Sequence, residues 1–176
     1  MIRYKTVSYL KELHQILTLQ NANLPTFLSS DEKDAEGFLT LVHDFDLLQK
    51  MNAQCPHIIA KYNDTVIGYA LCMHPRFREE IAILKPMFKQ INQYYSETNY
   101  MIMGQVCVDK EYRNQGVFRG LYTKMKDLIL PKYDAIITEV DLKNRRSLDA
   151  HHAIGFKMLS RYSSHKTDWE LIHLRW

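Results

Sequence analysis

The chain has 176 residues, 46% of them apolar and 24% charged, which is enough to bury the core of one domain and too apolar for wholesale disorder. Its net charge of +3 carries no dense Lys/Arg block, so a nucleic-acid surface is not expected, and an anionic ligand accounts for the excess equally well. Cys55, Cys72 and Cys107 are odd in number and lie in or beside apolar segments, as reduced thiols do. The start MIRYKTVSYL has no long apolar core, and charges interrupt every apolar stretch before membrane-spanning length. A single cytoplasmic domain over residues 1–176, with no membrane partner, is the expectation.

Ile2 to Val7 alternates as a strand does, and Ser8 can cap a helix that presents Leu10, Leu13, Ile16 and Leu17 at helical spacing. Asn21 to Leu28, with Pro25, reads as a loop. Ser29 followed by Glu32 opens a short polar helix through about Glu36, and a further helix starts at Asp44 with Phe45, Leu48 and Met51 on one face. His57–Tyr62 and Thr65–His74 are strand-like runs joined by Asn63-Asp64, which tolerate the positive φ of a tight turn. Pro86 breaks any long helix in the stretch from Pro75 to Asn99, with a short one after it carrying Met87, Phe88 and Ile91.

Tyr100–Val108 is the fourth strand. Val117–Leu130 is a helix with Val117, Leu121, Met125 and Leu128 inward, ended by Pro131. Asp134–Asp141 is a fifth strand, Ser147–Ala153 a short helix that Gly155 can stop, and Phe156–Tyr162 and Glu170–Trp176 are the closing strands. Strands and helices in this order describe an α/β layer fold with a mixed sheet.

The most informative stretch is Gly104–Tyr122, GQVCVDKEYRNQGVFRGLY: strand, charged turn, a basic glycine-bearing loop of Arg113, Asn114, Gln115 and Gly116, then a helix. Unpaired amides and aligned peptide dipoles at such a loop-to-helix junction form an anion site, and a phosphorylated group is expected on it.

With that loop placed, the chain resembles the GNAT-type N-acetyltransferases. Their signature of Gln or Arg, two residues, Gly, one residue, then Gly or Ala is matched by Arg113, Asn114, Gln115, Gly116, Val117 and Phe118. A second block, ITEVDLKNRRSLDAHHAIGF, is similar to the family's strand, Asn, short helix and Gly-Phe ending, with Asn144, Ser147, His151, Gly155 and Phe156 at the matching places. Two departures stand out. Phe118 replaces the usual Gly or Ala, which leaves its N–H available provided the ring turns away, and His151 stands where many members carry Tyr.

The resemblance implies a GNAT-like, mostly antiparallel central sheet flanked by helices, acetyl-CoA as co-substrate and no metal. It places the pyrophosphate on the amides of Asn114, Gln115, Gly116, Val117, Phe118 and Arg119, with charge from Arg113 and Arg119. The pantetheine and the acetyl carbonyl fall to main-chain groups of Val106, Cys107 and Val108. Cys107 itself is read as a buried, inert thiol. Asn144 and Ser147 are also assigned to the cofactor, with capping of the following helix as the other use of Asn144. His151 is either the proton donor to the departing thiolate or a helix histidine that only hydrogen-bonds the backbone or cofactor; His152 reads as a surface residue. Glu139 on the fifth strand, directly or through water, and His74 at the end of the third are candidate bases for the acceptor amine, with an ordinary half-exposed strand residue as the other reading of Glu139. Tyr94, Tyr95 and Tyr100 either line a substrate pocket or pack a loop.

The function implied is transfer of an acetyl group to a primary amine of a small molecule or peptide, by direct attack in a ternary complex, in a monomer or homodimer. Two alternatives stay open: an acyltransferase with a longer acyl-CoA or a non-amine acceptor, and a CoA-binding sensor or scaffold without catalysis.

Overall fold

The computed structural model describes residues 1–24, 42–95, 99–130 and 132–176. Within these residues seven strands form one sheet: β1 (Ile2–Thr6), β2 (Ile58–Tyr62), β3 (Thr65–Met73), β4 (Tyr100–Val108), β5 (Ala135–Asp141), β6 (Lys157–Ser164) and β7 (Thr167–Arg175). Their spatial order is β1-β2-β3-β4-β5-β7-β6, and every neighbouring pair is antiparallel except β4 with β5. Among the described residues five α-helices flank it: α1 (Leu10–Ala22), α2 (Phe45–Gln54), α3 (Lys85–Ile91), α4 (Val117–Ile129) and α5 (Arg145–Ala153). The mixed, mostly antiparallel α/β architecture expected from the sequence is the one observed.

Strand alternation divides the core into two layers. Tyr69, Leu71, Ile102, Ile137 and Leu171 meet α1, α2 and α3 through Leu13, Ile16, Leu48, Met51 and Ile91. On the opposite face Ala70, Cys72, Met101, Met103, Ile136 and Ile172 meet α4 and α5 through Leu121, Met125 and Leu148. Most of β3 and much of β4 are buried, so these strands read as nearly continuous apolar runs. The Tyr4 ring of β1 packs onto α4 at Gly120, where a Cβ would lie 2.2 Å from it and displace it.

Several local expectations change in the structure. Tyr9, not Ser8, is the cap of α1, and the Oε2 of Glu12 accepts from the amides of both residues at 2.9 and 3.3 Å. The helix runs on through Asn21 and Ala22, where a loop was expected. Helix α5 starts two residues earlier than Ser147, with Asn144 as its cap. The closing strands are longer than their apolar patterns suggested, because polar residues at the far end of this hairpin remain paired out to Ser164 and Thr167. His165 and Lys166 make the turn at φ of 52° and 64°. The expected helix over Ser29–Glu36 and the helix-ending Pro131 lie outside the described residues.

Candidate active site

The site begins where the sheet comes apart. β4 and β5 pair only over Tyr100–Ile102 and Ala135–Ile137, although both strands continue well beyond. Against β3, Ala70 pairs with Val106 while Cys72 pairs with Met103, so β4 carries an extra residue at Gly104-Gln105. A bulge of this kind bends its strand and increases the local twist, and here it turns β4 away from β5. From Met103 onward β4 has no strand paired with it on that side among the described residues.

On the α4/α5 side of the gap lies a cavity of about 430 Å³. It is lined by Val106, Cys107, Val108, Arg113, Asn114, Gly116, Val117, Phe118, Arg119, Asn144 and Ser147, and also by Arg146 and Asn23. Of the residues expected to hold the cofactor, only Gln115 is not part of this wall; its Nε2 donates to Glu111 O at 2.8 Å and closes the turn. Asn114 and Gly116 both have positive φ, 59° and 78°, so the chain doubles back and enters α4 with Gly116 as its cap. The first helical bond runs from Gly120 N to Gly116 O at 3.0 Å, which leaves the amides of Val117, Phe118 and Arg119 with no acceptor inside the helix. With the helix dipole behind them they favour a negative charge, and the donor set fits a diphosphate.

Side chains around this cavity serve the protein first. Arg113 donates through Nε to Val108 O at 3.0 Å and through Nη2 to Asn23 Oδ1 at 2.8 Å, which fastens the loop to the end of β4 and to the C-terminus of α1. Arg119 Nη2 reaches Ala153 O at 3.4 Å, and Arg146 Nη2 reaches Asn114 Oδ1 at 3.5 Å. Asn144 accepts from Ser147 N at 3.2 Å, the cap expected of it. The Phe118 ring packs 5.0 Å from the rings of both Tyr122 and His151, within an aromatic group that also holds Phe156. Cys107 is buried, and that burial pushes its thiol up to about 12, far from a reactive thiolate.

A smaller cavity of about 80 Å³ occupies the gap itself, sharing Val106, Asn144 and Ser147 with the larger one. Gln105, Glu139, Asp141 and Trp169 reach it from the opposite face of the sheet, and His151 borders it from α5. Burial raises the Glu139 carboxyl to about 8, and Tyr162 donates its hydroxyl hydrogen to Glu139 Oε2. Gln105 Oε1 accepts from Tyr69 at 2.6 Å.

His151 is 1% exposed. Its Nδ1 lies 2.7 Å from Ser147 O and its Nε2 lies 2.6 Å from the Tyr122 hydroxyl. A carbonyl only accepts, so Nδ1 carries the hydrogen and Nε2 accepts from Tyr122. Burial lowers the imidazole to about 4 despite the Ser147 carbonyl, so the ring is neutral at ordinary pH. His152 is the more exposed of the two, with Nε2 at 2.9 Å from Glu170. His74 lines neither cavity; it caps a 3-10 turn by accepting from Arg76 N at 3.1 Å.

Residues 13–156 match the acetyltransferase (GNAT) family. The chain belongs to this family. It is therefore an acyltransferase, and acetyl transfer from acetyl-CoA is its class of reaction. Among solved structures it is similar to a chain of the NatC complex bound to Gag peptide and CoA, with 17% identity, a TM-score of 0.69, and coverage of 99% of this chain and 98% of the other. The ribosomal-protein-S18-alanine N-acetyltransferase from Escherichia coli aligns at 11% identity and TM-score 0.67, covering 99% and 94%. Ard1 from Thermoplasma volcanium aligns at 12% and 0.68, covering 99% and 97%. At such identities these likenesses speak to the fold. A comparison with curated protein sequences finds no match.

Four participants around this acetyltransferase's site were not anticipated from the sequence. Asn23 and Arg146 join the larger cavity, Tyr122 holds His151, and Tyr162 holds Glu139. Tyr122 had a signal available, since it lies one helical turn after Phe118 on the side of α4 that meets α5. Asn23 and Tyr162 had none, because each is separated from its partner by intervening elements of the fold. Tyr95 stacks edge-on to Tyr100 at 5.5 Å and meets His173 Nδ1 at 2.6 Å, whereas Tyr94 is 48% exposed.

Proposed function

We propose that this acetyltransferase moves the acetyl group of acetyl-CoA onto a primary amine of a small molecule or peptide by direct attack, with both substrates bound across the β4–β5 gap. The observation that carries this reading is that the cavity on the α4/α5 side and the smaller one in the gap, which Glu139 reaches from the other face, meet at Val106, Asn144 and Ser147. One side offers main-chain donors suited to a diphosphate; the other offers a carboxyl group suited to an ammonium ion.

In this reading the diphosphate lies on the amides from Asn114 to Arg119, Gln115 contributing through its backbone, and the pantetheine runs along Val106, Cys107 and Val108. An acceptor ammonium, with a pKa near 10.4 for an ordinary alkylamine, first gives a proton to Glu139, whose raised pKa suits it to that exchange. The neutral nitrogen attacks the thioester carbonyl, and the carbonyl oxygen takes up negative charge facing the main chain of β4 beyond its pairing with β5. Collapse breaks the C–S bond and sends its electron pair to sulfur. The second proton lost by nitrogen ends on the thiolate, whose pKa near 8.5 makes it a tolerable leaving group.

His151 is assigned a part in that delivery as a neutral ring beside the Ser147 hydroxyl: losing its own Nδ1–H would leave an imidazolate, so the proton passes from nitrogen to sulfur by way of that hydroxyl, which gives up its hydrogen as it takes one. Ser147 Oγ, 3.4 Å from Nδ1 and on the wall of both cavities, is placed to carry the hydrogen onward. The small volume of the second cavity supports an acetyl group over a longer acyl chain.

Calorimetry with coenzyme A, followed by thiol release from acetyl-CoA over a panel of polyamines, amino acids, aminoglycosides and peptides, tests the reading. Binding with turnover on an amine is expected. No association at millimolar coenzyme A would overturn it, and binding without turnover on any amine would leave a CoA-binding module in its place.

A further inference from the structure

We infer that Tyr162 is a positioning residue for Glu139: its hydroxyl holds one carboxyl oxygen so that the other faces the gap as an ionisable base. The inference rests on the reading of Glu139 as the group that accepts the acceptor's proton.

The geometry is not what packing alone would produce. β6 is the edge strand and is not paired with β5, because β7 lies between them. Straight across the sheet, Tyr162 pairs with Trp169, which pairs with Asp141; Glu139 belongs to the next row, opposite Leu171 and Ser160. Two strand spacings of about 4.8 Å separate β6 from β5, and the Tyr162 phenol leans over β7 and one row along to donate to Glu139 Oε2. Of the side chains in this row, Ser160 is too short to help, and its Oγ is buried with no hydrogen-bond partner.

Glu139 needs such a donor because of where it sits. Burial alone drives a carboxyl toward its protonated form, in which it cannot accept the acceptor's proton. A hydrogen bond donated to the ionised form works the other way and fixes which oxygen is held. The other polar or titratable groups on the surrounding elements are Asp141 on the same strand, His173 of β7 with Tyr95 on its Nδ1, Gln105 of β4, and His151 of α5 across the smaller cavity. None of them forms an ion pair with Glu139 among the described residues. The phenol is therefore the contact tuned to the carboxyl oxygen itself.

The test is a titration and needs no acceptor. Protein labelled with ¹³C at the glutamate carboxyl carbons is followed by NMR across pH, with Glu139 assigned by the signal lost in Glu139→Gln. Tyr162→Phe keeps the ring and is expected to move the Glu139 midpoint upward by about one pH unit, the size of one hydrogen-bond contribution of about 1.4 kcal/mol. A midpoint that stays in place or falls overturns the inference. In the unaltered protein the Tyr162 ring carbon bearing the hydroxyl should also titrate with the Glu139 midpoint, and a flat response there overturns it even if Tyr162→Phe fails to fold. Because both readouts are free of catalysis, they fail separately from the base assignment. That assignment falls if Glu139→Gln retains full kcat, and the positioning role falls with it.

Discussion

On the α4/α5 side of the gap the donors are main-chain amides of one short run, Asn114 to Arg119, whereas across the gap Gln105, Glu139, Tyr162 and Trp169 come from four different strands. The first side is a local structure. Two positive φ angles and a helix start create it, and most side chains there could change without removing a donor. The second side exists only because the sheet brings β4, β5, β7 and β6 into register, and each group on it is a side chain with a single chemistry. Substitutions should therefore act differently on the two sides, weakening cofactor binding gradually on one and abolishing a chemical step on the other.

The sharpest test of this contrast is Glu139→Gln. If Glu139 takes the acceptor's proton, kcat falls by roughly 10²–10⁴-fold while coenzyme A affinity by calorimetry stays unchanged. In the unaltered enzyme, activity should rise with pH through about 8, the value to which burial lifts this carboxyl. Stability has the opposite sign. The folded state holds this proton more tightly than the unfolded chain, so the stability associated with it is full below the ordinary glutamate range and is lost as pH rises through about 8. Glu139→Gln should accordingly melt higher than the parent at pH 9 and approach it at pH 5.

His151→Phe tests whether the imidazole belongs to the chemistry or to the wall. Loss of the ring leaves the Tyr122 hydroxyl buried without its acceptor, a cost of about 1–3 kcal/mol, read as a lower Tm at pH 8. Buried neutral histidines also make the fold acid-sensitive: burial holds His43 at about 4, His57 at about 3 and His151 at about 4. Below the ordinary histidine range the unfolded chain takes up protons that the folded one refuses, so stability falls as pH drops from about 6.5 toward 4. That decline should be shallower in His151→Phe. Full kcat in this variant across the pH range would remove His151 from proton delivery.

Gly116→Val should have the smallest effect of the three and fall only on binding. A β-branched residue at φ of 78° is strained by roughly 1–2 kcal/mol, so the loop relaxes and coenzyme A affinity drops about tenfold, measured by calorimetry. A comparable loss from Gly116→Asn, which tolerates this conformation, would show that backbone geometry is not what the loop supplies.

Much of the loop geometry beside the larger cavity was legible in the sequence because its causes are short-range. Gly116 sits where the backbone must turn left-handed, Asn144 where a helix must be capped, and Val106–Val108 in a strand directly before them. Glu139 was visible as a half-exposed strand carboxylate but not as a perturbed one, since its burial comes from strands placed after it in the chain. Arg113 shows the limit most plainly. Its charge and position marked it for phosphate, yet two of its donors go to Val108 O and Asn23 Oδ1, and Asn23 is 90 positions away.

The sequence by itself determined the order of elements, the glycine turn that opens α4 and the family, because these depend on spacing within short runs of residues. Only the tertiary structure decided where β4 parts from β5, that His151 is sealed between Ser147 and Tyr122, and that Tyr162 reaches over β7 to Glu139. Hydrogen-bond partners and burial are properties of neighbours in space, and here those neighbours come from separate strands and helices.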